Sequence, residues 1–262
     1  MIPLRDENPT RRPAVLTALL IAGCIGVFVF VQPDATRSFE MPSQDDLVEE
    51  IEFSYEYAAI PCELIQGRPL TGSEITATQV GGVADACDDS PSGVTPFPGK
   101  NVWLAVIVSM FLHGSWVHLI GNMIFLWVFG NNIEDHMGVG HFAVFYVLAG
   151  VISTAAYVMV QVESTVPLIG ASGAVAGVMG VYLVWFPRAR VRTFVLLGII
   201  PLFPRIPAAL LLGLWFVSQF FIGADSGIAW MAHVAGFAFG VVTGLVAGSD
   251  PRTQNGSAPL RR

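Results

Sequence analysis

Stretches without Asp, Glu, Lys or Arg recur along this chain at lengths that suit a lipid bilayer. A hydrocarbon core about 30 Å thick takes roughly 20 apolar residues at 1.5 Å each. Read this way, the sequence predicts six spans: Ala14 to Val31, Trp116 to Asn131, His141 to Gln161, Pro167 to Phe186, Pro207 to Ile222 and Ile228 to Ala247. Between Asn101 and Ile133 the uncharged run is too long for one helix, and His113-Gly114-Ser115 interrupts it. The part before that break is expected to be a partly inserted segment. Thr193 to Pro204 is apolar but short and carries Pro201 and Pro204, so it is expected to lie at the interface. The first run follows Arg11 and Arg12, is long for a signal peptide and lacks a small-x-small cleavage site, which predicts a retained anchor.

The implied fold class is an all-α polytopic membrane protein, a six-transmembrane-helix bundle. The chain divides into a cytoplasmic N-terminal segment at 1–13, a first transmembrane helix at 14–32 and an acidic extracytoplasmic loop at 33–100. A core of five further transmembrane helices at 101–248 and a disordered cytoplasmic tail at 249–262 complete it.

Composition agrees. Of 262 residues, 53% are hydrophobic and only 13% charged, against roughly 25% charged in soluble domains. The position of the charges adds orientation. Ten of the thirteen Lys and Arg residues (Arg5, Arg11, Arg12, Arg188, Arg190, Arg192, Arg205, Arg252, Arg261 and Arg262) share one side if there are six crossings. By the positive-inside rule both termini are then cytoplasmic. Thirteen of the twenty acidic residues fall between Asp34 and Asp89, which puts the acidic loop outside. The net charge of −7 argues against a nucleic-acid partner. The expected location is an integral one in a bacterial plasma membrane, with the lipid bilayer itself as a partner. Cys62 and Cys87 share the acidic loop, so a bridge between them is one reading and two free thiols the other. Cys24 reads as a small buried apolar residue.

Polar groups inside a span are costly, which shortens the list of candidates to His118, Asn122, Ser172 and His233. Taken singly, each has a bland reading: a Ser in a Gly-rich helix permits close packing, and a lone His or Asn joins helices by a hydrogen bond. Depth changes this. Spans two, four and six run in the same direction, and His118, Ser172 and His233 all fall near their outer ends. Asn122 lies one turn below His118 on the same face. A serine needs a neighbouring base to become a nucleophile, and a neutral imidazole serves. The imidazole of His118, the amide of Asn122 and the backbone N–H of Ser172 are suitable donors to a developing oxyanion. Glycines at three- and four-residue spacings, Gly170, Gly173, Gly177 and Gly180 in one span and Gly236 and Gly240 in another, predict that the two helices approach closely.

Gly170-x-Ser172-Gly173, His118-x-x-x-Asn122 and Ala232-His233-x-x-Gly236-x-x-x-Gly240 together resemble the rhomboid family of intramembrane serine proteases. Ser109-x-Phe111-x-His113, and Glu134 followed by Gly138 and Phe142, resemble the flanks of that family's second and third spans. The resemblance covers about 101–248. It implies a rhomboid-like six-helix bundle with a Ser-His dyad, Ser172 as nucleophile and His233 as base, and His118 and Asn122 stabilising the oxyanion. It also implies single-pass transmembrane protein substrates, cut near the outer membrane face, and no metal or organic cofactor. The chain departs from the family in lacking a Trp-Arg pair between Pro33 and Lys100. His113 reads as structural, and His136 and His141 as ordinary cytoplasmic loop residues. Competing readings are a non-catalytic rhomboid-like protein that binds or escorts membrane clients, a transporter, and a zinc protease. The last lacks an H-E-x-x-H motif.

Overall fold

The computed structural model describes residues 1–37, 43–88, 93–222 and 229–248. The expected disordered tail therefore lies outside the described residues, as do Arg252, Arg261 and Arg262. The chain opens with strand β1 (Ile2–Asp6) and the apolar helix α1 (Val15–Phe30). A short helix, α2 (Asp34–Arg37), leads to three more: α3 (Gln44–Tyr57), α4 (Pro61–Gln66) and α5 (Gly72–Gln79). Helix α6 (Val102–Ser109) precedes the His113 break and α7 (Trp116–Phe125) follows it. A π-helical turn (Leu126–Gly130) carries α7 into α8 (Asn131–Met137), beyond the end expected at Asn131. Next come α9 (Val139–Val160) and α10 (Ser172–Trp185). Three strands, β2 (Arg190–Leu197), β3 (Ile200–Leu202) and β4 (Arg205–Pro207), lead into α11 (Ala208–Gln219) and α12 (Trp230–Ala247).

The protein is mostly helical. Among the described residues, α9 and α12 are long and apolar enough to cross a membrane, while α1, α10 and α11 are apolar but shorter. The span expected from Pro167 starts as helix only at Ser172. Pro167 lacks an N–H to donate, and Gly170 has φ +122°, outside the helical region.

Two expectations are corrected. The fold is not all-α, because Thr193 to Pro204, expected as an irregular interfacial stretch, is part of a four-stranded sheet. β2 pairs antiparallel with β1, β3 and β4, so the N-terminal segment is drawn into the same sheet. Arg190-Val191-Arg192-Thr193 alternates exposed and buried, the period of two that one-sided strands need, and Gly198 turns the β2–β3 hairpin at φ +62°. The segment 33–100 is likewise more than a loop. Tyr55, Ile60, Cys62 and Leu70 form a small core of their own with Ile51, Ile75, Cys87 and Phe97 packed on it, and Cys62 is bridged to Cys87.

Two of its helices start where side chains satisfy the free N–H groups. Ser43 with Asp46, and Thr71 with Glu74, form reciprocal capping boxes at α3 and α5. Lys100 and Glu63, each at most 2% exposed, lie 2.5 Å apart as a buried ion pair. Burial pushes the Glu63 carboxyl up and the Lys100 ammonium down, and the partner's charge opposes both shifts. Glu74 differs: burial would raise it, but the Arg68 guanidinium, the N–H groups of Thr71 and Asp88 and the Thr71 hydroxyl bring it down to about 2. Its ordinary value is 4.5. The stability it contributes is therefore complete above that value and disappears as pH falls through about 2. Unfolding of wild type and Glu74→Gln should differ most at neutral pH, and the difference should narrow across that acid window.

On the opposite side of the bundle, α8 fastens the start of α1. Glu134 accepts hydrogen bonds from the N–H groups of Leu16 and Thr17 at 2.8 and 2.7 Å and from the Thr17 hydroxyl at 2.7 Å. Asp135 accepts from the N–H groups of Arg11 and Arg12. Asp6, at the end of β1, receives Asn132 and the Tyr182 hydroxyl and is pushed up to about 6 by burial. His136 is not a loop residue: it belongs to α8 and lies edge-on to Phe186 at 4.8 Å. His141 sits in the first turn of α9.

Candidate active site

Ser172 is the first residue of α10 and His233 the fourth of α12, so both stand at the same end of their helices. What brings them together is a seam without side chains. A Cβ on Gly236 would lie less than 3.0 Å from the carbonyl oxygen of Gly173, and one on Gly240 would meet that of Gly177. The paired positions advance together, 173 with 236 and 177 with 240, so the helices run parallel with backbones in contact, as the glycine spacing predicts. Ser153 of α9 fits beside the same seam, within 3.0 Å of where a Cβ on Gly173 or Gly236 would be, and Trp185 Nε1 donates to Gly244 O at its far end.

Across the seam, His233 Nε2 is 2.8 Å from Ser172 Oγ. The other ring nitrogen, Nδ1, is 2.8 Å from Oε1 of Gln219 on α11. Sequence reasoning missed Gln219, although the signal was present as an amide inside the run from Pro207 to Ile222. Trp215, one turn earlier on α11, has its ring centroid 6.0 Å from that of His233.

His118 approaches from α7. The backbone N–H of Gly114 points at its Nδ1 at 3.3 Å, which leaves the ring hydrogen on Nε2. That nitrogen lies 2.8 Å from where a Cβ on residue 170 would stand, so only glycine leaves room for the ring there. Asn122 is buried one turn on, and its Nδ2 donates to the carbonyl of His118 at 3.0 Å. One amide hydrogen is thus engaged within α7, leaving one for a ligand. The structure therefore brings Ser172, His233 and His118 into one cluster, with Asn122 behind His118.

The loop before Ser172 is held from the acidic module and from α6. Leu168 N donates to Ala59 O at 2.8 Å and Gly170 N to Ser109 O at 2.9 Å, while the Ser109 hydroxyl accepts from Ala59 N at 2.6 Å. Thr165 N reaches Ala84 O, and Cys62 N donates to Ser164 O. His113 is fully buried and exchanges two hydrogen bonds with Gln32, one through its N–H and one through its carbonyl. This agrees with its reading as a structural residue that holds the break.

Residues 100–250, more than half of the chain, match the family model described as Rhomboid domain. The chain belongs to the rhomboid family. It is 33% identical over 96 residues to "Rhomboid protein 1, mitochondrial" of Saccharomyces cerevisiae, covering 35% of this chain and 28% of that protein. It is also 33% identical over 93 residues to "Presenilin-associated rhomboid-like protein A, mitochondrial" of Danio rerio, covering 35% and 24%. The similarity to "Uncharacterized protein Rv1337" of Mycobacterium tuberculosis is 28% over 168 residues, 62% of this chain and 65% of that one. In each case the match spans less than two thirds of the relative's own length. Rhomboid membership and the two apolar helices of spanning length mark a membrane protein.

Proposed function

We propose that this rhomboid-family chain is an intramembrane serine endopeptidase that cuts transmembrane segments of single-pass membrane proteins by a Ser172-His233 dyad. The observation that carries the reading is the 2.8 Å approach of His233 Nε2 to Ser172 Oγ across a glycine seam inside an apolar bundle. In this mechanism Ser172 Oγ attacks the scissile carbonyl carbon while its proton passes to His233 Nε2. The tetrahedral oxyanion is stabilised by the Nε2–H of His118, the free amide hydrogen of Asn122 and the N–H of Ser172, which as a first-turn group has no acceptor within its own helix. His233 then protonates the leaving amine. Water, deprotonated by the same imidazole, releases the acyl group from Ser172.

Six crossings follow if α1, α7 with α8, α9, α10, α11 and α12 each pass through the bilayer. The short helices would then cross with help from flanking loops and a locally thinned bilayer. Both termini and the β-sheet are cytoplasmic in this arrangement, and the acidic module with its disulfide faces the oxidising exterior, on the side of the loop that leads into Ser172. The membrane is a bacterial plasma membrane.

The test is incubation of the purified protein in liposomes with a model single-span substrate, with mass spectrometry of the products. A cut at or just inside the outer edge of the span is expected. Intact substrate across several sequences would sink the protease reading and favour a client-binding rhomboid.

A further inference from the structure

Gln219 is the last residue of α11 and is 4% exposed, a carboxamide that follows Ser218 at the end of a helix apolar up to that point. Its own helix sets which way the amide faces. The side-chain nitrogen donates to Trp215 O at 3.1 Å and to the Ser218 hydroxyl at 3.3 Å. A carbonyl oxygen only accepts, so the nitrogen is correctly the atom beside it, and the oxygen is left facing His233 Nδ1 at 2.8 Å. A carboxamide oxygen also only accepts. Nδ1 must therefore carry the ring hydrogen, and Nε2, the atom 2.8 Å from Ser172 Oγ, keeps its lone pair.

We propose that Gln219 is a positioning residue of the hydrolytic reaction, whose side-chain oxygen locks His233 in the Nδ1–H tautomer and aims Nε2 at Ser172. The inference rests on the serine-protease reading above and deepens it: the dyad becomes a Ser172-His233-Gln219 relay of orientation. An Asp in this place would do the same and also stabilise the imidazolium, but a carboxylate within a span is costly to desolvate. A neutral acceptor fixes the tautomer without that cost. The Trp215 ring flanks the imidazole from the same helix, so α11 sets both the rotation and the tautomer of the base. Helices α9, α10 and α11 contain no Asp, Glu, Lys or Arg. Among the described residues, the titratable group acting on His233 through space is His118 of α7.

The experiment uses the purified full chain with two probes, a fluorophosphonate that labels an activated serine and the single-span substrate, across a range of pH. Gln219→Leu is expected to lower kcat roughly 10- to 100-fold with KM changed by less than about twofold, and to slow labelling of Ser172 in parallel. Gln219→Glu keeps an acceptor at the same point and should recover most of the rate. Its charge favours the imidazolium, so the acid limb of its pH–rate profile should move to higher pH. The proposal is overturned if both variants, melting at the wild-type temperature, keep the wild-type kcat and acid limb. Should Gln219→Leu fail to fold, the Glu variant decides alone: a displaced limb supports the role and an unmoved one refutes it. A wild-type protein that neither labels at Ser172 nor cuts removes the protease reading itself, and this inference with it.

Discussion

Ser172→Ala and His233→Ala are each expected to reduce cleavage to a small residual rate while leaving the thermal transition of the protein within a few degrees of wild type. The serine variant removes the atom that attacks; the histidine variant leaves a hydroxyl with no base to take its proton. In hydrolases where nucleophile and base act as a unit, losing either costs on the order of a million-fold, and losing both costs little more. The sharper measurement is therefore the double variant. If Ser172 and His233 work together across their 2.8 Å contact, residual rates of the two single variants and the double variant should agree within error. Two losses that multiply instead would mean that the residues act in separate steps, and the dyad would have to be abandoned.

The second large effect comes from the seam. Gly240→Ala adds a methyl group that would overlap the carbonyl of Gly177, and the atoms it meets are backbone, which cannot rotate away. The helices must part. Overpacking of this kind costs roughly 1 to 3 kcal/mol, with more where the backbone has to move. The rate should suffer more than the stability, since a displacement of about 1 Å between reacting groups can cost on the order of 100-fold. Gly213→Ala on α11, where nothing lies within 4 Å of an added Cβ, is the control and should be nearly silent in both assays. If Gly240→Ala cleaves at the wild-type rate, the close approach of α10 and α12 is not what assembles the site.

The candidate site was legible because an apolar background makes polar residues conspicuous. Ser172, His233, His118 and Asn122 stood out on that ground and on the glycine spacing beside them, and the structure gathers the first three around one point. Gln219 stood in the same background, yet nothing local to α11 says that its oxygen faces a ring on α12. That depends on how the two helices pack and on Trp215 O holding the amide nitrogen. The strands were hidden for a different reason. The apolar content of Thr193 to Pro204 suggests lipid contact, whereas the alternation that identifies a strand is clear only from Arg190 to Thr193 and needs β1, far away in sequence, as its partner. In the acidic module the abundance of carboxylates suggested a solvated loop. Among the described residues its order comes from sparse features: a small apolar core, two capping boxes, the Lys100–Glu63 and Arg68–Glu74 ion pairs and a disulfide. The capping boxes, Ser43 with Asp46 and Thr71 with Glu74, are spacings the sequence displays openly.

The clasp between α8 and the start of α1 bears on the order of events during biosynthesis. Ala14, at the head of α1, offers no side-chain cap, and the carboxylate that serves Leu16 comes from a residue 118 positions later. At ordinary translation speeds that interval is on the order of ten seconds. Until Glu134 has been made, the N–H groups of Leu16 and Thr17 lack the acceptor they have in the folded chain. Helix α1 is thus completed from far behind it in the chain: its first turn gains its acceptor only when α8 docks.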